Sequence, residues 1–356
     1  MRFVLIALSI SALVACGDEA SEPAGNNGNN GNNGANNGAN NGANNGANNG
    51  ANNGAEPLFG DPLPAQASAD WSMFRRDPAR TGFAPDAIVG DSVEEAWRIA
   101  DFNSTSYGAA KGSPSVVDGV VFCGSDTGRF VAADAATGAI LWEAQIEDTT
   151  QGIHGSPVIV GDYVHIGAYN GTVYTFDRAS GERIWEYKEG FQIGSSPVVV
   201  PDWGVLYSSH ERDENGGGHV LALDARSGEK LWQWNIRAHP HSSVAVDTSR
   251  QLLFVGDNLG IIHGWDAALG EKLWEVKLDP PTEEGGESDI KSTPTAIEKH
   301  GTVVFGAWST RVHAMDAMTG QEVWSYQTEG RIMSSAAYAP ERDAIYVGGF
   351  DKKLHA

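Results

Sequence analysis

From residue 113 onward, short apolar segments alternate with turns that contain Gly, Asp, Asn or Ser. The first unit shows the arrangement, with apolar segments at residues 115–117, 120–124, 129–133 and 140–142. The Asp118-Gly119 pair between the first two segments is typical of a type I′ hairpin turn, which needs positive φ at both central positions. The pattern predicts units of four antiparallel strands, and hence an all-β fold.

Each unit ends in a nine-residue motif: Asp, three residues, Gly, three residues and Trp. The motif occurs five times, and successive Trp residues stand 42 to 50 residues apart. Its members are Asp134, Gly138, Trp142, Asp177, Gly181, Trp185, Asp224, Gly228, Trp232, Asp266, Gly270, Trp274, Asp316, Gly320 and Trp324. A strand-rich repeat of this length predicts a β-propeller with four-stranded blades over residues 57–356.

The three repeated residue types have structural roles in this interpretation. The Gly supplies a tight turn between the third and fourth strands, and the Asp accepts backbone N–H bonds there. Each Trp offers roughly 150–250 Å² to the neighbouring blade. Burial at about 25 cal/mol per Å² gives a gross gain of roughly 4–6 kcal/mol for each blade. We therefore interpret the five Trp residues as architecture rather than as a cofactor-stacking set.

Two further motifs accompany the repeat. Six units begin with a related triplet, such as GSP at 112–114 and 155–157, and the stretch DWSMFRRDPARTGF spans 70–83. Together these motifs resemble the repeats of pyrroloquinoline-quinone-dependent dehydrogenases and equally those of the BamB family of lipoprotein propellers. The resemblance covers about residues 70–356 and implies the propeller fold. Since members of such families differ in function, it does not by itself choose between an enzyme and a binding protein.

The number of blades follows from counting strands. Trp97 precedes the first complete unit, whereas the last unit, at 332–356, has three strands. We predict six blades, with residues 90–100 supplying the outermost strand of the last blade and so closing the ring. The alternative is a fragment of an eight-bladed propeller, the number found in better-known relatives.

The N-terminus predicts export. Residues 1–15 hold one Arg and an apolar run that is too short to remain as a membrane span. The run ends in LVAC, which resembles the lipobox of bacterial lipoproteins, and this resemblance implies cleavage before Cys16 and its lipidation. Gly17 favours outer-membrane sorting by the same resemblance. Residues 16–56, rich in Asn and Gly, predict a disordered tether with a span of roughly 30–40 Å.

Charge and cysteine content narrow the function. The chain has 46 acidic and 24 basic residues, a formal charge of -22, which disfavours nucleic-acid binding and adhesion to anionic lipid. Its two Cys residues are Cys16 and Cys123, so a lipidated Cys16 leaves Cys123 without a disulfide partner. The resemblance to alcohol-type quinoproteins implies a vicinal Cys pair and a calcium site, and neither maps onto this sequence. We therefore predict no catalytic residues, no metal site and no cofactor, with pyrroloquinoline quinone as the alternative.

Two features predict a binding face. One residue stands two positions before the central Ser or Thr of each starting triplet, and these six residues should surround one mouth of the central channel. They are Lys111, His154, Gly194, His241, Lys291 and Met333. Four of the six, Lys111, His154, His241 and Lys291, are basic and form a candidate ring for an anion or an acidic peptide. The alternative is a polar funnel without a ligand. Two long insertions, at 210–219 and 279–289, fall on the same face.

The first insertion also carries a weak metal signal. Asp213, Glu214 and Asn215 offer oxygen ligands, but their spacing matches no established calcium loop. A solvated acidic hairpin is the preferred interpretation. The expected protein is thus a membrane-anchored envelope propeller that binds or scaffolds a protein partner, as the resemblance to BamB implies. A quinoprotein-like redox enzyme and a surface receptor for polysaccharide or peptide are the alternatives.

Overall fold

The structure, a computed structural model, describes residues 57–64, 70–85, 94–103, 111–149, 152–212, 216–278 and 289–356. The predicted signal peptide, Cys16 and tether lie outside these residues, as do Asp213, Glu214, Asn215 and most of the second insertion. In the described part of the chain, no helix has the length and apolar character that a bilayer crossing requires.

The described strands form six antiparallel sheets. The first sheet contains β1 (Ser115–Val117), β2 (Val120–Gly124), β3 (Arg129–Asp134) and β4 (Ile140–Gln145). The second contains β5 (Val158–Val160), β6 (Tyr163–Gly167), β7 (Thr172–Asp177) and β8 (Arg183–Lys188). The third contains β9 (Val198–Val200), β10 (Val205–His210), β11 (Gly218–Asp224) and β12 (Lys230–Ile236), with a short 3₁₀ helix at Pro201–Trp203.

The fourth sheet contains β13 (Ala245–Asp247), β14 (Leu252–Gly256), β15 (Ile261–Asp266) and β16 (Lys272–Lys277). The fifth contains β17 (Thr295–Ile297), β18 (Thr302–Gly306), β19 (Arg311–Asp316) and β20 (Glu322–Gln327). The sixth contains β21 (Ala337–Ala339), β22 (Ala344–Gly348) and β23 (Leu354–His355). In every sheet, strands that are consecutive in sequence are also neighbours, and five of the six sheets have four strands, which agrees with the predicted all-β propeller of four-stranded blades.

The nine-residue motif builds the turn between third and fourth strands as predicted. In the first sheet, Asp134 Oδ1 accepts the backbone N–H groups of Ala136 and Thr137 at 3.1 and 2.8 Å. Gly138 has φ +72°, a conformation that suits Gly, and its N–H donates to the Asp134 carbonyl at 2.8 Å. The same carboxylate bonds recur at Asp177, Asp224, Asp266 and Asp316.

Four of the five motif Trp residues, all except Trp324, pack on the turn of the following sheet. A Cβ atom added to Gly181 would lie 2.6 Å from the ring of Trp142, so the Gly is required by close approach as well as by φ. The Trp142 Nε1–H donates to the carbonyl of Arg178 in that turn at 2.9 Å. Trp97 contacts Gly138 and donates to the Ala135 carbonyl in the same way, so it takes the place of a preceding motif Trp.

A ladder of hydroxyl groups joins the sheets near their first strands. In each of the first five starting triplets, the backbone N–H of the central residue donates to the hydroxyl oxygen of the corresponding residue in the next sheet, at 2.9 to 3.1 Å. The series runs Ser113, Ser156, Ser196, Ser243, Thr293 and Ser335. These Ser and Thr residues therefore connect all six sheets through hydrogen bonds between side chain and backbone.

Residues 70–83 form a hub at the inner edges of the sheets. The middle residues of five first strands donate their N–H groups to carbonyls of this segment at 2.8 to 2.9 Å. The donors are Val116, Ile159, Val246, Ala296 and Tyr338, and the acceptors are Trp71, Ser72, Pro78, Ala79 and Thr81 in matching order. The third sheet is held instead by the Arg80 guanidinium, which donates to the carbonyls of Ser196 and Pro197 at 3.2 and 3.0 Å.

Two faces of the propeller can be distinguished. In the first sheet, the turn between β1 and β2 and the turn between β3 and β4 meet at one end, where the Ala135 N–H donates to the Gly119 carbonyl at 2.8 Å. We call this end the turn face. The turn between β2 and β3 and the connection to the next sheet meet at the opposite end, where the Ile153 N–H donates to the Ser125 carbonyl at 2.9 Å. We call that end the loop face.

The predicted ring closure does not appear as strand pairing in the described chain. The sixth sheet has three strands, and residues 94–100, the described part of the proposed closing segment, form no strand. Trp97 contributes its side chain to the first sheet instead. Because the structure shows no pairing between this segment and β23, the number of blades stays a prediction.

Candidate functional site

The four basic residues of the predicted ring all lie on the loop face, directly before first strands. Lys111 Nζ and His154 Nε2 are 3.4 Å apart. His241 Nδ1 and Lys291 Nζ both approach Asp289 Oδ2, at 3.5 and 3.8 Å. The structure thus brings the four residues together as two neighbouring pairs.

Buried carboxylates accompany these pairs, and the sequence analysis did not assign them to the ring. Asp126 is 3% exposed, and its Oδ1 lies 3.7 Å from His154 Nε2. Burial raises the pKa of the Asp126 carboxyl, while the nearby charge of Lys111 opposes that rise. Asp289 is 5% exposed, and its carboxylate is the one that His241 and Lys291 approach. The mouth therefore has alternating charge rather than a continuous positive ring.

Glu211 supplies a third carboxylate, above Gly194. A Cβ atom at Gly194 would collide with the Glu211 carboxylate, and the third sheet has Gly where four of the other five sheets carry Lys or His. Burial raises the pKa of Glu211, and the charges of His241 and His239 and a hydrogen bond from Tyr169 oppose the rise. The absence of a side chain at Gly194 therefore lets an acidic group from the next hairpin reach the mouth.

An aromatic ring separates two cations on the far side of the mouth. Lys291 Nζ lies 4.5 Å from the centroid of the Trp308 ring, and Arg331 Cζ lies 4.4 Å from it. Both distances fit cation–π contacts. The backbone N–H of Trp308 donates to the backbone carbonyl of Asp289 at 3.0 Å, which holds Trp308 beside the residue that His241 and Lys291 approach.

Large apolar side chains project from loops around the charged mouth. Phe191, Leu259 and Phe350 are 53%, 51% and 49% exposed. Phe191 lies in the connection from β8 to β9, and Leu259 and Phe350 lie in turns between second and third strands. The loop face thus combines fixed charges with separate apolar contacts, the composition of a protein-binding surface.

Both long insertions contribute a carboxylate to the mouth, since Glu211 belongs to the first and Asp289 to the second. Met333 lies beside the ring without a described polar role, and anion binding stays a prediction. Asp126 stands in the turn between β2 and β3, which the sequence places on the loop face; only the structure shows that its carboxylate is buried beside His154.

Cys123 lies away from this mouth. Its thiol is half-buried in β2, and burial raises its pKa to about 11, which disfavours the reactive thiolate. A mainly apolar cavity of about 220 Å³ adjoins it, lined in part by Trp97, Phe102 and Val131. In the part of the chain that the structure describes, no three His, Cys, Asp or Glu side chains are grouped to hold a metal ion.

Comparison with known proteins identifies the family. The sequence profile described as "Outer membrane protein assembly factor BamB" matches residues 87–263 and 216–356. The chain belongs to this family. BamB of Burkholderia pseudomallei is 27% identical over 144 residues, 38% of this chain and 35% of that protein.

The chain is also similar to parts of a dehydrogenase and of a protein kinase. Quinohemoprotein alcohol dehydrogenase of Comamonas testosteroni is 28% identical over 148 residues, 39% of this chain and 20% of that protein. The serine/threonine-protein kinase AfsK of Streptomyces coelicolor is 29% identical over 124 residues, 35% of this chain and 14% of that protein. These matches span one fifth of the relatives' own length or less.

Solved structures support the propeller fold. A europium-containing methanol dehydrogenase superposes with a TM-score of 0.64 at 13% identity, over 80% of this chain and 69% of that one. The Comamonas testosteroni quinohemoprotein alcohol dehydrogenase gives a TM-score of 0.60 at 13% identity, over 79% of this chain and 57% of that one. At such low identity the likeness concerns the fold alone.

Proposed function

We propose that this protein is a lipid-anchored propeller of the bacterial outer membrane that binds a polypeptide partner through its loop face, as a scaffold in outer-membrane protein assembly. Membership of the BamB family supports the role. The observation that carries the binding surface is the charged mouth surrounded by exposed Phe191, Leu259 and Phe350. Apolar contacts among fixed charges suit a folded or extended polypeptide, which offers both kinds of group.

The path of the chain supports presentation of this face. The described chain begins against the turn face, where the Leu58 N–H donates to the Ala268 carbonyl at 3.0 Å. The Leu63 N–H donates to the Pro201 carbonyl at 2.8 Å, in the turn between β9 and β10. The chain therefore enters the propeller at the turn face, at the opposite end from the loop face. The tether's predicted span of roughly 30–40 Å separates the propeller from the bilayer.

The test is affinity purification from membranes with matched variants. The full chain should recover a component of the outer-membrane assembly machinery, and Phe191→Ser combined with Phe350→Ser should reduce that recovery at least about tenfold. Leu273→Ser, at 44% exposure on the fourth strand of the fourth sheet, is the control. Equal recovery with both kinds of variant, or no assembly component with the full chain, would refute the proposal.

A redox enzyme is the second candidate, favoured by the match to the Comamonas testosteroni quinohemoprotein alcohol dehydrogenase. Pyrroloquinoline quinone carries three carboxylates. The described mouth suits it poorly, because the buried Asp126 and Asp289 and the nearby Glu211 already neighbour the available cations. Adding the quinone and recording its absorbance spectrum decides between the candidates. A stoichiometric shift with wild-type protein would favour the enzyme, and an unchanged spectrum supports the scaffold.

A further inference from the structure

The position two residues after each motif Trp differs among the sheets. Residues two apart on a strand point to the same side, so this position shares the Trp side and faces the next sheet. In chain order the residues are Ala144, Tyr187, Trp234, Val276 and Tyr326. The first sheet thus has the smallest side chain at a position that is aromatic in three others.

The two grooves that follow are filled in the same manner. Between the second and third sheets, half-buried Tyr187 packs against the core, and Lys230 Nζ lies 5.9 Å from its ring centroid. Between the third and fourth sheets, half-buried Trp234 likewise packs against the core, and Lys272 Nζ lies 5.8 Å from the Trp234 ring centroid. Each cation begins the fourth strand of the following sheet. An aromatic ring covered by a neighbouring cation is therefore a repeated filling of the outer groove.

The groove between the first and second sheets contains half of this arrangement. Ala144 leaves a cavity of about 520 Å³, whose lining includes Tyr174 and Phe176 at 7% and 3% exposure. Arg183 begins β8 and so corresponds to Lys230 and Lys272. Its side chain is 58% exposed and donates to Glu186 at 2.7 Å, with no described ring beneath it. Arg183 thus corresponds to Lys230 and Lys272, but among the described residues no aromatic ring lies beneath it as Tyr187 and Trp234 lie beneath those two.

We propose that this groove binds an aromatic side chain of a partner polypeptide. The ring takes the place that Tyr187 and Trp234 occupy in the next two grooves, with Phe176 and Tyr174 beneath it and the Arg183 guanidinium above. Aromatic rings at 4.5–7 Å and a cation over the face both favour such an occupant. The rest of the lining is largely polar and includes Glu147, Asp148 and Glu186 as well as Arg183 and Lys188, so Tyr174 and Phe176 are the aromatic contacts that the groove offers.

The experiment uses the full chain and two capped peptides, acetyl-Gly-Trp-Gly-amide and acetyl-Gly-Leu-Gly-amide. Saturation-transfer NMR measures the dissociation constant of each. The tryptophan peptide should bind saturably in the millimolar range or tighter, and more tightly than the leucine peptide. Ala144→Tyr copies the second sheet and should weaken binding at least about tenfold while the melting temperature is unchanged or higher. Arg183→Gln should weaken binding about two- to fivefold, the size of an exposed cation–π contact.

Arg311→Gln, an exposed Arg on the fifth sheet, is the matched control and should bind like wild type. No saturable binding of the tryptophan peptide up to about 10 mM would overturn the proposal, and so would equal affinity of wild type and Ala144→Tyr. The groove runs along the outer strands and meets the loop face at Glu147, Asp148 and Asn170, and neither Phe191 nor Phe350 lines it. The Phe191→Ser, Phe350→Ser variant should therefore keep peptide affinity, so this test and that of the scaffold function fail separately.

Discussion

The indole of Trp232 lies against Gly270, the turn Gly of the following sheet, and a Cβ atom there would be 2.6 Å from the ring. The two residues are in different motif copies, so the recurring Asp, Gly and Trp act between sheets as well as within one. The contact leaves Trp232 only 9% exposed. Trp324, whose sheet is followed by one without this turn, is 40% exposed.

This contrast predicts unequal contributions to stability. Trp232→Ala should lower the free energy of unfolding by roughly 3–5 kcal/mol, the usual loss for a large buried aromatic side chain. Trp324→Ala should lose less than about 2 kcal/mol, because much of its surface is already in water. Urea unfolding of both variants measures the difference. Equal losses would show that the turn contact contributes little.

The hub depends on a buried cation. Arg80 has 0% exposure, and its guanidinium donates to the carbonyls of Val244, Phe74, Ser196 and Pro197. Burial lowers its pKa to about 9, although the charge of Asp77 opposes this. Arg80→Met would leave these acceptors without donors and should cost at least about 3 kcal/mol. The denaturation midpoint of each variant measures this loss of stability. Arg98→Met, at an exposed position, is the control and should unfold at the same midpoint as wild type.

Stability should fall in mild acid because of buried imidazoles. His165 and His210 are 0% exposed, and burial lowers the pKa of each to about 3 from an ordinary value of 6.5. The unfolded chain therefore binds more protons below pH 6.5, so stability is full above that value and is lost as pH falls toward 3. At pH 5 each His should cost about 2 kcal/mol.

A single substitution tests the assignment. His165 Nδ1 contacts Thr175 Oγ1 at 2.7 Å, a partner that Gln can also reach. His165→Gln should reduce the slope of the unfolding free energy against pH by about one proton near pH 5 and by little at pH 7.5. An unchanged slope would mean that His165 is protonated in the folded protein or reaches water.

The Gly194 position predicts a change at the mouth. Gly194→Ala should displace the Glu211 carboxylate toward solvent, since the two groups would otherwise collide. The pKa of Glu211, raised in the wild type by burial, should then move down toward its ordinary value of about 4.5. NMR titration with labelled Glu measures it. If the pKa does not change, Glu211 lies elsewhere in solution.

Membrane attachment depends on a single thiol in the sequence-based hypothesis. Cys16→Ser should prevent lipidation and leave the signal segment uncleaved, as the LVAC stretch implies. Membrane fractionation and intact-mass measurement test both effects, with Cys123→Ser as the control that retains the anchor. A Cys16→Ser protein that fractionates and migrates like wild type would contradict the lipoprotein hypothesis.

Local chemistry allowed the sequence to determine the repeating unit. Asp134 and Gly138 act within one turn, so their spacing alone predicted the capped hairpin, and residues 115–117 coincide with β1. The sequence also suggested that the motif Trp residues lie between blades, because one repeat cannot bury such a side chain alone, and four of the five lie against the following sheet.

Only the tertiary structure decided how distant residues combine. Glu211 reaches the mouth because Gly194 has no side chain, and Arg80 is buried because its donors meet carbonyls of two sheets. Ala144 marks a groove only once Arg183 of the next sheet is placed opposite it. These relationships join residues far apart in sequence, and charge pairing and cavity volume depend on the distances that folding sets between them.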